Sequence, residues 1–479
     1  MPLKCSRDRH LPAASAGDEQ RFHGMQAFTL IWFGQSVSLI GSGLTGFALA
    51  VWVYQHSGSV TQFALISLCT ILPGVLMAPF AGALVDRWSR RRVMLLGDAN
   101  AAVSTLLVAV LAFTGSLNIW FIGLATAISS LCAAFQKPGY FAFIAQLVPA
   151  QQLNRANGMV QLATGTAQLV APVLAGAILV LLKLPGIFVI DLLTFLVSIA
   201  TLLLVRGPGA GGPARPVTMR PFLQDVLLAW SYLRVRPEIL ALLGLSTAIS
   251  FLVGMATVLV EPLILSFRSA AVLGTVLSLS GSGMLLGALA MSVWKGTQRR
   301  IQSLASCVGL CGLCLALAGL RAWVPLITIA GFCFFFCLPI MHGSVSAVIQ
   351  TQARQDLQGR IFSLLEMLAG AVAAIAYLLA GPLADTWFEP ALSRNGLLAP
   401  TIGSVIGVGP GRGIGLLFII TGSLLICLAV WGRTSPTLRR LDEEPPVNLS
   451  ITGGQRSPHA QLARAGAQRE RAMHGRGKK

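Results

Sequence analysis

Five carboxylates stand inside or beside long apolar runs of this 479-residue sequence: Asp98, Asp191, Glu261, Glu366 and Asp385. A carboxylate withdrawn from water must find partners or take up a proton. In a stretch long enough to cross lipid, such a group marks a path for protons or ions, or else sits paired or reaches to the interface. Asp191, Glu366 and Glu261 are the expected proton-coupling groups. Asp191 follows Pro185-Gly186 by a few residues, and Glu261 immediately precedes Pro262. Asp98 lies six residues beyond Arg92, about 9 Å along a helix at 1.5 Å per residue, and is expected to pair with the arginines there. Glu366 lies equally far past Arg360 and is assigned to the same charged network. Gly82, Asp86, Arg87, Arg90, Arg91 and Arg92 precede Asp98; a small residue that lets helices approach and a carboxylate able to meet a neighbouring helix N-terminus suit a gate, which Asp98 and Glu366 are expected to join.

Other chemistries find no constellation. His342 is the only histidine well inside an apolar run, and no acid adjoins it; an intramembrane hydrolase needs a nucleophile, a base and an orienting group together. Cys307, Cys311 and Cys314 share a helix face at metal-like spacing, without a neighbouring His or carboxylate, and read as packing thiols. The alternating Gly407, Gly409, Gly411, Gly413 and Gly415 lack the Lys-Ser/Thr that ends a nucleotide-binding loop, and read as a connection. No enzyme activity, metal or cofactor is expected, and no disulfide framework.

The elements that must carry these residues follow from composition. Apolar residues make up 55% and charged residues 11%, against about 25% charged in soluble chains, and mean hydropathy is +0.75. Apolar runs of about twenty residues, enough to span a bilayer as a helix, recur at 28–54, 61–85, 93–113, 118–140, 158–182, 185–205, 239–264, 272–294, 301–321, 323–348, 361–385 and 413–432. They are apolar all round, unlike the alternating strands of a barrel. The sequence therefore predicts an all-α membrane protein with twelve spans. With the N-terminus inside, the five inner loops hold sixteen Lys/Arg and the six outer loops five, which places both termini in the cytoplasm. The net charge of +18 is then topological and asks for no nucleic acid. Residues 1–26 read as a cytoplasmic tail rather than a signal peptide. Residues 206–237, rich in Gly and Pro, read as a linker between bundles 27–205 and 238–432, and 433–479 as a disordered cytoplasmic tail.

A shift of 205 residues lays Gly82-Ala83-Leu84 on Gly287-Ala288-Leu289, Arg155 on Arg360, and Ala175-Gly176 on Ala380-Gly381. One offset landing on equivalent topological positions indicates two six-helix halves related by an internal repeat.

The loop Gly82-Ala-Leu-Val-Asp86-Arg87-Trp-Ser-Arg90-Arg91-Arg92 resembles the signature loop of the major facilitator superfamily, with Ser89 where a glycine is usual. Ala171-Pro172-Val-Leu-Ala175-Gly176 is similar to that family's antiporter motif, with alanines replacing three of its glycines. Phe33-Gly34-Gln35, Gln136-Lys137-Pro138, Arg155-Ala156-Asn157-Gly158 and Ala380 through Asp385 resemble its macrolide-efflux and siderophore-exporter branch. The resemblance covers about 28–432. It implies two pseudo-symmetric six-helix bundles, a central cavity between them and alternating access by rocking, with Gln35 and Gln62 as cavity candidates. It further implies a bacterial inner-membrane protein, functional as a monomer, that exchanges protons for an amphipathic or hydrophobic molecule: a drug, macrolide, siderophore or secondary metabolite. Import of a nutrient is the alternative. The basic residue that some drug–proton antiporters carry in the fourth span is missing from 118–135, so coupling through it is excluded. Pro73, Pro172, Pro339 and Pro382 lie within spans as candidate hinges or static kinks.

Overall fold

In lipid every backbone N–H and C=O must be satisfied within its own segment, so apolar runs of this length fold as helices. The computed structural model describes residues 24–85, 88–205, 231–293, 299–353 and 355–443, with the side chains of 78–85, 150, 355 and 356 left aside. Among the described residues, twelve helices are long and apolar enough to cross a membrane. The first six are α1 (Met25–Ser57), α2 (Val60–Val85), α3 (Arg90–Phe113), α4 (Ile119–Leu147), α5 (Leu153–Leu181) and α6 (Lys183–Leu204). The second six are α7 (Pro237–Leu265), α8 (Ala270–Val293), α9 (Arg300–Leu320), α10 (Val324–Gln352), α11 (Gln355–Pro382) and α12 (Arg412–Thr434). An even number of spans returns the chain to the side on which α1 begins. That side is called here the terminal end, and the other the far end.

The helices outrun the apolar runs that announced them. The fourth, expected to end at 140, runs on through Phe141-Ala-Phe-Ile-Ala-Gln-Leu147, because a count of about twenty residues measures what lipid requires and not where the helix stops. The tail expected from 433 opens with a further helix, α13 (Pro436–Glu443). Its Leu438 and Leu441 are buried, and Asp442 Oδ1 accepts the N–H of Ile301 at the start of α9 (3.0 Å). Order here is a correction to the expected disordered tail: two apolar residues three apart and one capping carboxylate suffice to dock a short helix. Residues 206–230 of the expected linker, the tail 1–23 and residues 444–479 lie outside the described residues.

Packing repeats between halves. In the first, α1 lies on α5 and α6, α2 on α4, and α3 on α4 and α6; in the second, α7 lies on α11 and α12, α8 on α10, and α9 on α10 and α12. The 205-residue shift carries each pairing onto its counterpart. Arg90 donates to the carbonyl of Ala142 (3.1 Å) and Arg300 to that of Ala347 (2.8 Å), acceptors that are 205 apart.

The two halves meet along α5–α8 and α2–α11, again partners under the repeat. Small residues permit this approach. A Cβ on Gly176 would stand 3.0 Å from Ala270 O, and one on Gly381 2.5 Å from Thr61 Cα. Both contacts are at the far end. Gly158 and Gly359, near the terminal end of the same helices α5 and α11, would place a Cβ in open space. The bundles are closed at the far end.

After Pro382, a π-helical turn (Leu383–Phe388) and a short helix (Glu389–Ala391) carry α11 to the far surface. The glycine-rich stretch is the expected connection: Gly407, Gly409 and Gly411 have φ of 90°, 119° and 78°, backbone that side chains resist. Glu389 then accepts the N–H groups of Gly411 and Ile414 (both 3.2 Å), capping α12.

Candidate functional site

The first bundle holds two buried carboxylates, each surrounded by neutral donors. Asp98 of α3 is 2% exposed. Its Oδ1 accepts Gln136 Nε2 of α4 (2.6 Å), and its Oδ2 accepts Gln35 Nε2 of α1 (2.8 Å) and Ser198 Oγ of α6 (2.7 Å). Gly97 makes room for Gln136, since a Cβ there would come within 2.7 Å of it. Asp191 of α6 is 1% exposed and its Oδ2 accepts Thr45 Oγ1 of α1 (2.6 Å) and Thr105 Oγ1 of α3 (3.1 Å). Thr194, one turn on, donates to the Asp191 carbonyl (2.7 Å).

The expected pairing of Asp98 with the arginines is corrected. Six residues along α3 carry Asp98 inward, whereas the arginines stay at the helix end. There Arg91 donates to the carbonyls of Leu202 and Leu203 (2.8 and 2.9 Å), closing the C-terminus of α6. Ser89, standing where the family pattern has glycine, caps α3 by accepting the Arg92 N–H (3.3 Å). Of the rest of that loop, Gly82 lies within α2, and Asp86 and Arg87 fall outside the described residues.

Both carboxylates open on one cavity of about 650 Å³. Its walls mix apolar groups (Leu39, Leu49, Val108, Phe195) with hydroxyls and amides (Ser42, Thr164, Gln161), and Lys137 also faces it. Every described residue that lines it belongs to the first bundle. Helices α1, α3, α4, α5 and α6 splay around this space, and α2 adds Thr70. Gln35 lines it. Gln62 does not. It is exposed at the far start of α2, where its N–H donates to Ser59 Oγ (3.2 Å). Gln136, Lys137, Ser198, Thr45 and Thr105 were not singled out as site residues. Amides and hydroxyls inside apolar runs were the available signal, diluted by the many Ser and Thr that simply bond their own helix.

Elsewhere the expected residues separate. Glu261 of α7 has a buried Oε2 with no hydrogen-bond partner among the described residues, beside Tyr377 of α11. Glu366 is exposed on α11 and is not a partner of Asp98. The motif of Ala171, Pro172, Ala175 and Gly176 packs two ways. Ala171 faces Gly43 of α1, while Pro172 and Gly176 press on Gly274 and on Ala270 of α8. Cys311 Sγ sits 3.7 Å from the Phe334 carbonyl and 3.8 Å from Met341 Sδ, a packing thiol between α9 and α10.

One carboxylate joins the halves. Asp385, in the π turn after α11, accepts Ser59 Oγ (2.6 Å), the Val60 N–H (3.0 Å) and the Thr61 N–H (2.8 Å) at the N-terminus of α2.

Compared with known proteins, the profile described as Major Facilitator Superfamily matches residues 31–377. The chain is similar to Macrolide efflux protein A of Streptococcus pyogenes, 27% identical over 420 residues that cover 87% of this chain and 97% of that protein. It is similar to Multidrug efflux pump Tap of Mycolicibacterium fortuitum, 28% identical over 367 residues, covering 74% and 88%. Among solved structures it superposes on nucleoside transporter NupG with a TM-score of 0.64 at 12% identity, covering 85% of this chain and 98% of that one. It matches a bacterial homologue of the lysosomal transporter Spinster with a TM-score of 0.64 at 13% identity, covering 89% and 98%.

Proposed function

This chain belongs to the Major Facilitator Superfamily, a multi-pass secondary transporter of small molecules, and we propose that it is a proton-coupled exporter of amphipathic or hydrophobic compounds. The observation that carries the reading is the pair of buried carboxylates, Asp98 and Asp191, on one cavity. Their partners are amides and hydroxyls rather than arginines, so a proton can come and go without breaking an ion pair. A volume of about 650 Å³ falls in the range of about 300–1,000 Å³ that holds drug-sized ligands, and the mixed walls suit a molecule with apolar bulk and a few polar groups. Similarity to a macrolide efflux protein and a multidrug efflux pump supports export of a drug or macrolide.

The Lys/Arg asymmetry supports cytoplasmic termini in a bacterial inner membrane. The terminal end is then inside, the closed far end outside, and the cavity loads from the cytoplasm. Gly82, Asp86 and Arg87, with Arg90–Arg92, form the inner gate that closes when the halves rock. Asp191 and Asp98 are the coupling pair, and Glu261 is a further proton site in the second bundle.

The test is accumulation of a compound panel in cells with and without the chain, with and without a proton uncoupler. Lower accumulation that the uncoupler abolishes is expected, with Asp98→Asn and Asp191→Asn each inserting normally and losing uphill export. Higher accumulation in cells carrying the chain would establish import instead.

A further inference from the structure

Across the far end of the molecule the two halves are held in two different ways. Between α5 and α8 the contact is steric: Pro172 and Gly176 lie against Gly274 and Ala270, backbone on backbone. Between α2 and α11 the same close packing, Gly381 on Thr61, is joined by the carboxylate of Asp385. The first four N–H groups of any helix lack intrahelical acceptors and carry partial positive charge. At α2 all four are accounted for. Asp385 takes those of Val60 and Thr61, Ser59 Oγ takes that of Gln62 (3.2 Å), and the Ser59 carbonyl takes that of Phe63 (3.2 Å). Asp385 also accepts the hydroxyl of that same Ser59. A cap of α2 is therefore supplied by the other half of the protein.

Among the described residues, Asp385 makes every hydrogen bond that crosses between the halves at the far end. The repeat provides no second copy of it: the position 205 residues earlier is Val180, an exposed apolar residue. The neighbouring charges are otherwise engaged, since Glu389 caps α12 and Arg412 donates to the Ile406 carbonyl (3.0 Å).

We propose that Asp385 is the latch of the outer gate, a positioning residue that holds the far end closed by capping α2 across the bundle interface. When the halves part, the N–H groups of Val60 and Thr61 pass to water, and three bonds to one carboxylate are the part of the closed state that is lost. This rests on the transport reading above, with the far end outside.

Cys132 of α4 lines the cavity and reports its accessibility. The experiment applies a membrane-impermeant maleimide to intact cells, which reaches the cavity from outside, and to everted vesicles, which reach it from inside. Modification of Cys132 in the full-length chain is followed by mass spectrometry. In the parent, labelling is expected to be fast in everted vesicles and slow in intact cells. Asp385→Asn keeps the shape and removes the charge and one acceptor oxygen; it should raise the intact-cell rate about tenfold, the equilibrium shift that losing a charge-assisted bond produces, and lower the everted rate. Ser59→Ala, which removes one of the three bonds to the carboxylate together with the acceptor of the Gln62 N–H, should move both rates the same way by less, and it decides the matter should Asp385→Asn fail to insert. Asp385→Glu should restore part of the parental ratio. A merely structural role would raise labelling from both sides or lower the amount of protein, and either result overturns the latch. So does a parental ratio in both Asp385→Asn and Ser59→Ala. Should the parent label from the outside and Asp385→Asn open it from the inside, the latch stands and the proposed orientation falls.

Discussion

Asp98 shows what a buried acid needs when no cation is near. Three donors from three other helices converge on its two oxygens, so the carboxylate ties α1, α4 and α6 to α3 as well as facing the cavity. Removing the acceptor leaves Gln35, Gln136 and Ser198 to find other partners, at about 1–3 kcal/mol for a buried polar group left unmatched. Asp98→Ala is expected to lower the melting temperature in detergent by several degrees, while Asp98→Asn, whose amide oxygen still accepts, stays closer to the parent. Equal melting of the two would show that the site is coupling machinery without a structural share. At this scale the sequence spoke in part. Asp98, Asp191 and Gln35 stand out as polar residues in apolar runs, but their partners do not. Distance along a helix is set by rise per residue, whereas the neighbour a side chain meets depends on how the helices are rotated against each other, which no local pattern encodes. Helix rise therefore points Asp98 to the arginines, about 1.7 turns away, rather than to Gln136 across the interface.

Helices are legible because lipid leaves the chain no other choice, and their ends are less so. The third span, expected from 93, starts at Arg90 behind the Ser89 cap, and the fourth, expected to end at 140, runs on to Leu147. The short α13 was missed because its pattern is two leucines and an aspartate, too brief for periodicity to register. It clasps the terminal end of the second bundle: Leu438 and Leu441 are buried, Asp442 caps α9, and Gln352 Nε2 donates to the Leu441 carbonyl (3.4 Å). Truncation after Ser435 is expected to destabilise the purified protein, and Asp442→Ala to cost about 1 kcal/mol, the usual loss of a helix cap. Thermal unfolding of the two variants beside the parent checks both figures. The truncated chain should also be cut faster by protease at the terminal end of the second bundle, near the start of α9.

For the molecule as a whole, the 205-residue repeat was the most informative reading of the sequence, since it orders contacts as well as segments. Gly176 and Gly381, and the paired carbonyls of Ala142 and Ala347, obey it; the cavity, confined to the first bundle, does not. Symmetry in the scaffold comes from duplication of a fold, whereas asymmetry in the polar residues comes from divergence of each copy, and matching apolar stretches cannot reveal it. The interface glycines carry a prediction of their own. A Cβ at Gly274 would collide with the Pro172 carbonyl, so Gly274→Ala should wedge α8 from α5 at the far end. It is expected to raise far-side labelling of Cys132 with the protein still inserted. Gly158→Ala, facing open space, should leave labelling and export unchanged.

Among the described residues the cavity is lined by the first six helices, so a molecule held there as proposed would travel with one half while the other swings past it. If the second half adds no contact in either state, the binding surface is the same whichever side is open, and affinity is equal from within and from without. Such a carrier has no built-in direction. With the proton gradient collapsed it should exchange cargo both ways with one half-saturation concentration, and only the gradient makes it a pump.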